Sequence, residues 1–533
     1  MLLTPLLALA ACTDGGIGGE PEPEPLPWVF DDVFGIPNLD DDDGNGDEDW
    51  DDDNLEEEND RVPFVVSQAL IDEMEEGQSI QLTLAGDVDE IRIYQNGSLR
   101  LGDGADEVGE ISTAEELVFE LEFADFLVEG TLTLDKLDSE GAVVDSHTLR
   151  LVASPLVFNH HLQPAEHTYA IEVNYFGYSN PEFIEGYQDA LGDKFTAVDG
   201  TDYNGDVWLQ DEIEYGYMAG TDQQHIDVIF DTIRDRDLDD FAEDYHGGPD
   251  FPVMYWGSGR ATSQDYGGNL EISPPVTVDG VEYPVGRFYY GNAGRSADVN
   301  DDVVDMLNDM RVQAPFEVDT SFLCVGHIDE FTTFIPDPSS EKGFKFVVGD
   351  AEVGLAWLDT LDSSFQLPQY KGYPHQVSSV GEIQDDNQLA ALQVELQEDY
   401  IEPNIQLFKD ALGLTEDDII RIPALYEEVQ GCGGTTAALI PGTANLIVAT
   451  NDDGSPILFP PDPFFRGTGD SHDDDIYIQE FESMMPEGLE FVWLDDWEAY
   501  HVALGEVHCG SNVVRTPPTA DWTTATHLYG EDE

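Results

Sequence analysis

Near Pro164 the chain changes rhythm, and no single sheet or bundle accommodates both halves. Between Val62 and about Phe158, short runs alternate apolar and polar residues, at 79–84, 90–94, 117–123, 130–134 and 148–152. The pairs Asn96-Gly97, Asp103-Gly104 and Glu140-Gly141 punctuate them with the residues tight turns require. Short strands at this interval predict a β-sandwich. Beyond Pro164, strand-like segments at 168–173, 225–230, 286–290, 445–449 and 489–493 are interleaved with helical periodicity. Val303, Met306, Leu307 and Met310 share one face of a helix starting after Asn300, and a longer amphipathic helix is expected over 388–414. This βα rhythm predicts an α/β or α+β domain, and 533 residues leave room for two or more domains.

Charge narrows the partners. Against 114 Asp and Glu stand 19 Lys and Arg, a formal net charge of -95. Such a surface repels nucleic acid and anionic lipid, which excludes phosphate-binding roles, and favours cationic partners such as divalent metals or arginine-rich peptides. It also suits a saline medium, in which self-repulsion is screened. The two explanations are compatible.

Four cysteines are too few for a disulfide scaffold in a chain of this length. Cys12 ends the apolar run Met1 to Ala11, and Leu9-Ala10-Ala11-Cys12 resembles a bacterial lipobox. The expectation is a signal peptide over 1–11, cleavage before Cys12 and lipidation of Cys12, with an ordinary secretory signal as the alternative. That places an exported protein on the outer membrane or surface of a bacterium. No later segment has the apolar length to span a membrane. Residues 12–27, rich in Gly, Pro and Glu, read as a tether. The acidic run 38–53 reads either as a solvated spacer or as a cation loop, because Asn38-x-Asp40-x-Asp42 places oxygens at alternate positions beside two glycines. Cys324 and Cys432 are expected to be buried structural thiols. Cys509, in Gly505-Glu-Val-His-Cys-Gly510, needs partners before it is more than that.

Two segments offer them. In Val325-Gly-His-Ile-Asp-Glu-Phe331, an extended backbone puts His327 and Asp329 on one face. In 208–217, alternation puts Gln210, Glu212 and Glu214 on one face and Asp211 on the other. Glu212 and Glu214 would then lie about 7 Å apart and repel by about 2.4 kcal/mol at an effective dielectric of 20, unless solvated or bridged by a cation. Calcium, with its preference for carboxylate and amide oxygens, is the natural ion.

Taken in order, Trp208-x-Gln-Asp-Glu-x-Glu-x-Gly-Tyr217, Gly326-His-x-Asp-Glu-Phe331 and Gly505-Glu-Val-His-Cys-Gly-x-Asn512 resemble the signature of the protein-arginine deiminases. Gly248-Pro-Asp-Phe251 and Gly268-Asn-Leu-Glu-x-Ser-Pro-Pro-Val276 add to the resemblance, which covers 160–517. It implies a pentein fold, a fivefold pseudosymmetric α/β propeller over 158–533, preceded by an immunoglobulin-like calcium-binding domain over 28–157. It implies Cys509 as nucleophile, His327 as general acid/base, and Asp211 and Asp329 as guanidinium-binding carboxylates. Trp208, Arg234 and Arg236 would contact the substrate, an arginine-containing protein or peptide. Ca²⁺ ligands would be Gln210, Glu214, Glu271 and the carbonyls of Gly267 and Leu270 at one site, and Glu212, Asp231, Thr232 and Asp235 at a second. Asn38, Asp40 and Asp42 would form a calcium cluster of the middle domain, with Asp250 and Glu122 completing its neighbourhood. His508, expected to face away along a strand, is assigned a structural role. Ala503 stands where an animal member has a substrate-contacting arginine, Asp235 replaces an Asn ligand and Gly267 a Phe. The additional N-terminal domain of the animal members is expected to be absent. Deimination of free arginine or agmatine, and a calcium-loaded surface protein without activity, are the competing functions.

Overall fold

The computed structural model describes residues 27–39, 50, 61–105, 108–111, 117–175, 178–221, 224–234, 236–246, 251–294, 298–372, 375–518 and 522–525. Cys12, Asp40, Asp42, Asp235 and Asp250 lie outside them. The chain divides into two compact units. The smaller comprises residues up to Val33 with Pro63–Leu121 and Gly130–Leu151; the larger comprises Phe34–Val62, Glu122–Glu129 and everything from Val152.

The smaller unit contains the sandwich strands. One sheet orders Val143–Ala153, Glu129–Leu137, Ser79–Gly86 and Val108–Ile111; the other orders Val62–Val66, Leu117–Phe123, Ile91–Gln95 and Ser98–Leu101. Alternation carries Ile80, Leu82, Leu84, Leu132 and Leu134 of the first sheet inward, with Ile91, Ile93, Phe119 and Leu121 of the second. A Cβ on Gly130 would come within 2.5 Å of Ile91 Cδ1, so the sheets meet too closely there for any side chain.

The larger unit repeats one small motif. In each case a first strand pairs antiparallel with a second, a helix crosses over, and a third strand returns parallel to the second. Among the described residues five sheets follow this plan. Ile213–Ala219, His225–Asp231 and Val253–Tyr255 form one, and Leu270–Ile272, Phe288–Asn292 and Phe316–Asp319 the next. Thr332–Pro336, Phe344–Asp350 and Ile419–Pro423 form the third, and Ile447–Thr450, Pro456–Phe459 and Glu490–Phe491 the fourth. The fifth joins the two ends of the unit, Ser511–Arg515 pairing with Ala165–Glu172, which runs parallel to Phe195–Asp199. A parallel return demands a crossover, which the helices supply while burying their apolar faces on the sheets. In the second sheet this helix is Asp301–Met310, capped by the Asn300 side chain on Asp302 N, with Val303, Met306, Leu307 and Met310 buried. The long helical stretch runs Asn387–Leu396, a π-turn Gln397–Ile401 and Glu402–Leu412, and ends at Gly413 with φ 62°.

Cys324 and Cys432 are not free thiols. They form a disulfide with Cα atoms 5.6 Å apart across 108 residues of sequence. Cys324 N donates to Thr436 O at 2.8 Å, and Thr436 N to Phe322 O at 2.8 Å, so backbone pairing carries both cysteines to one place. Nothing in their separate sequence contexts signals that meeting.

Candidate active site

Each of the five sheets presents, just before its first strand, a segment that reaches the same small region. These segments are Leu209–Glu212, Gly267–Asn269, His327–Glu330, the turn at Asn445 and the turn ending at Cys509–Gly510. A Cβ placed on Gly268 would lie 3.0 Å from His327 Nδ1, 3.1 Å from Asp211 Oδ1 and 3.1 Å from Asp329 Oδ2. Only glycine leaves that ground open. Cys509 Sγ lies 3.4 Å from Asp329 Oδ2, and Gln210 N donates to Cys509 O at 3.3 Å.

The local backbone differs from the extended geometry expected of these motifs. Leu209–Glu212 is a single helical turn, and the strand begins only at Ile213. Helical spacing therefore brings Gln210 against Glu214, whose side chains hydrogen-bond, and sends Glu212 to Arg234. Glu212 and Glu214 thus have separate partners and do not form the repelling pair that alternation suggests. His327 caps a 3₁₀ turn, Ile328–Glu330, and Glu330 Oε1 accepts from Gly326 N and His327 N at 2.9 Å each. Cys509 precedes its strand, Ser511–Arg515, instead of following one.

His508 is the clearest correction. In a turn it does not face away from the site: Nδ1 is 2.9 Å from Asp329 Oδ2 and Nε2 is 3.4 Å from Glu271 Oε1. Burial opposes its charge, yet Glu271 and Asp329 hold its pKa above the ordinary imidazole value. A charged His508 fixes one oxygen of Asp329. The other, Oδ1, is buried without a hydrogen bond, as is Asp211 Oδ1. Two buried carboxylates with free oxygens, 8% and 2% exposed, are poised for a planar cation able to donate several N–H bonds. Burial raises Asp211 to about 6, with His327 and Arg234 pulling the other way.

His327 Nε2 must donate to the Ser263 carbonyl at 2.6 Å, because a carbonyl only accepts. That leaves Nδ1, 3.6 Å from Asp211 Oδ1, as the nitrogen free to exchange a proton on the open side. Burial pushes the Cys509 thiol well up, and Asp329 and Asp211 add to this, while hydrogen bonds from the Glu506 turn and Asn445 pull it back. A bound cation between the carboxylates would reverse their effect on the sulfur. Trp208 caps the helical turn beside Gly505, where a Cβ would stand 2.3 Å from its ring.

Oxygen atoms also gather behind Asp211. A Cβ on Gly267 would lie 2.2 Å from Gln210 O, 3.0 Å from Glu214 Oε1 and 3.2 Å from Ile213 O. A cavity of about 30 Å³ is lined by Gln210, Glu214, Glu271, His508 and Arg515, among others. Burial, with Glu271 adding, pushes Glu214 well up, and burial raises Glu271 to about 7. Asp231 is raised to about 8 by burial and then by Glu212, and neither of its oxygens finds a well-formed hydrogen bond. Carboxylate, amide and backbone oxygens gathered this closely fit a hard divalent cation, with Arg515 and His508 at the cavity wall. Among the described residues, no three carboxylate, imidazole or thiolate side chains form a metal cluster by themselves; the set here mixes carboxylates with amide and backbone oxygens.

Arg234 is buried in an ion pair with Glu212 and Asp206, and Arg236, 46% exposed at its side chain, lies 3.1 Å from Asp206. Of the cluster around the acidic run, Asn38 Nδ2 donates to Glu122 Oε1 at 2.8 Å, with Arg61 3.5 Å from the same oxygen. Asn445, Glu330 and His508 are site residues to which the motifs assign no part in the chemistry. Only Asn445 lacks any local signal, since it sits at the head of an ordinary apolar strand.

A buried thiol, an imidazole with one free nitrogen and two carboxylates with free oxygens define a class of site that pairs a nucleophile with cation recognition. A family model described as Protein-arginine deiminase (PAD) matches residues 143–523. The chain is 31% identical over 417 residues to the protein-arginine deiminase type-4 of Rattus norvegicus, covering 75% of this chain and 60% of the relative. It is 31% identical over 416 residues to the type-1 protein of Homo sapiens, with the same coverage. To the human type-3 protein it is 33% identical over 352 residues, 62% of this chain and 50% of the relative. The chain belongs to the protein-arginine deiminase family. It spans about 60% of the length of the type-4 and type-1 relatives.

Proposed function

We propose that this protein hydrolyses peptidyl arginine to peptidyl citrulline and ammonia, with calcium organising the site. The supporting observation is the convergence of His327 Nδ1, Asp211 Oδ1 and Asp329 Oδ2 on one point, with Cys509 Sγ 3.4 Å from Asp329. Asp211 and Asp329 grip the N–H groups of the guanidinium, whose positive charge offsets theirs and lowers the cost of forming the thiolate. The Cys509 thiol passes its proton to His327 Nδ1, and the sulfur adds to the central carbon. The carbon–nitrogen bond then breaks, and ammonia departs with a proton from His327, leaving a cysteine thiouronium. His327 takes a proton from water as its oxygen attacks the same carbon; the carbon–sulfur bond breaks, the remaining hydroxyl proton passes to the departing sulfur, citrulline leaves, and His327 returns its proton to solvent.

Gln210, Glu214, Glu271 and the carbonyls of Gly267 and Leu270 are proposed as one calcium site, and Glu212, Asp231, Thr232 and Asp235 as the second. Calcium would supply positive charge to the Glu214 and Asp231 carboxylates, which burial pushes toward their neutral forms. The five like sheets are read as the blades of a pentein propeller and 28–157 as an immunoglobulin-like domain, in which Asn38, Asp40, Asp42 and Glu122 hold further calcium together with Asp250 of the propeller. Trp208 and Arg236 are proposed to face the peptide, and Arg234 to do so on leaving its buried ion pair with Glu212 and Asp206. Export as a lipoprotein acylated at Cys12 completes the proposal.

The test is citrulline formation from a blocked arginine peptide and from free arginine, with calcium and with a chelator. Turnover of the peptide alone, abolished by chelation and by Cys509→Ser, is expected. Turnover that survives chelation removes the calcium assignment. Turnover in the Ser variant removes the nucleophile.

A further inference from the structure

Four of the five segments that lead into the sheets bring residues assigned to the reaction or to calcium. The fifth brings Asn445, which is 1% exposed. Its carboxamide uses every hydrogen-bonding position it has. Nδ2 donates to Asp329 O at 3.1 Å and to Cys509 Sγ at 3.3 Å. Oδ1 accepts from His508 N at 2.9 Å and from Cys509 N at 3.3 Å. Its backbone carbonyl accepts from His508 N as well, at 3.2 Å. One side chain therefore spans the two parts of the site that must be held together, the nucleophile turn and the backbone of a guanidinium-binding carboxylate.

The electrostatics at sulfur make this contact matter. Asp329 Oδ2 stands 3.4 Å from Sγ, so negative charge on the sulfur meets a carboxylate on one side. On another side it meets the Nδ2 donor, and a hydrogen bond to an ion is roughly twice as strong as one to a neutral group. The bond therefore strengthens as the thiol ionises, and again as the carbon–sulfur bond breaks and charge returns to the sulfur, so it acts on steps of the reaction and not merely on the resting thiol.

We propose that Asn445 is a catalytic residue of the deimination, donating from Nδ2 to Cys509 Sγ to support the attacking thiolate while its Oδ1 fixes the nucleophile turn. The inference rests on the deimination reading but is tested separately from it. Asn445→Ala removes both roles. Asn445→Asp keeps an acceptor for His508 N and Cys509 N and removes the donor.

The full chain and both variants are assayed with calcium on the blocked arginine peptide. The alkylation rate of Cys509 by iodoacetamide and the melting temperature are measured on the same samples. Both variants are expected to lose kcat tenfold or more with KM within about threefold, and to alkylate more slowly than wild type. Asn445→Asp retaining kcat within threefold overturns the donor role even if Asn445→Ala is impaired or unfolded. A loss confined to KM, or unchanged alkylation in both folded variants, overturns it too. If wild type itself forms no citrulline, the deimination reading fails, while the alkylation comparison still decides whether Asn445 supports the sulfur.

Discussion

Cys509 shows how far a residue's chemistry is set by its surroundings. Burial, and then Asp329 and Asp211, push its pKa well up and so favour the protonated thiol. Histidines away from that centre bear on a different property, acid stability. Burial first, and then His167, lowers His246 to about 4 from the ordinary 6.5. The folded ring stays neutral where the unfolded chain would take a proton, so its contribution is complete above pH 6.5 and is lost as pH falls toward 4. His160, held at about 3 by burial and then Arg515, acts in the same direction. In His246→Gln, which can still bond Tyr215 Oη, the melting temperature is expected to fall less steeply between pH 6.5 and 4 than in wild type. An identical slope in thermal melts would show that His246 carries none of the acid sensitivity.

Among the elements, the short segments before each first strand do most to build the site, and they are the least legible in the sequence. Alternation joins His327 and Asp329 for the wrong reason: a 3₁₀ turn, not a strand, brings them to one point. Residues 209–212 curl because Trp208 O accepts from Asp211 N, which no alternation of polar and apolar residues reveals. By contrast, the helix Asp301–Met310 follows from its cap and spacing alone. The Cys324–Cys432 bridge closes 108 residues. Cross-linking a loop of that order restricts the unfolded chain by about 4.7 kcal/mol in the chain-entropy limit, of which about 2–4 kcal/mol is typically realised. Denaturant unfolding of Cys432→Ser under oxidising conditions is expected to show a loss of that size, and adding reductant should erase the difference from wild type. Equal stability before reduction would mean that the bridge contributes nothing.

At the scale of the molecule, the net charge of -95 governs how stability responds to salt. Like charges at this density oppose compaction, and the opposition shrinks as the Debye length falls from about 10 Å at 0.1 M salt to about 3 Å at 1 M. Melting temperature is therefore expected to rise with sodium chloride over that range. The KM for an arginine peptide should rise as well, because the same screening weakens attraction of a cationic substrate. A melting temperature that stays flat or falls would show that the acidic residues are already compensated in pairs.

What the sequence determined by itself was the type of each half's elements, the acidic charge and the candidacy of Cys509, Asp211, His327 and Asp329, because period, charge and motif are local properties of the chain. What only the tertiary structure decided was how those groups meet. The orientation of His508 toward Asp329, the pairing of Glu212 with Arg234, the Cys324–Cys432 bridge and the hold of Asn445 on the sulfur all join residues distant in sequence. Such contacts arise from the packing of five sheets whose leading segments share one centre, and no spacing within a single segment encodes them.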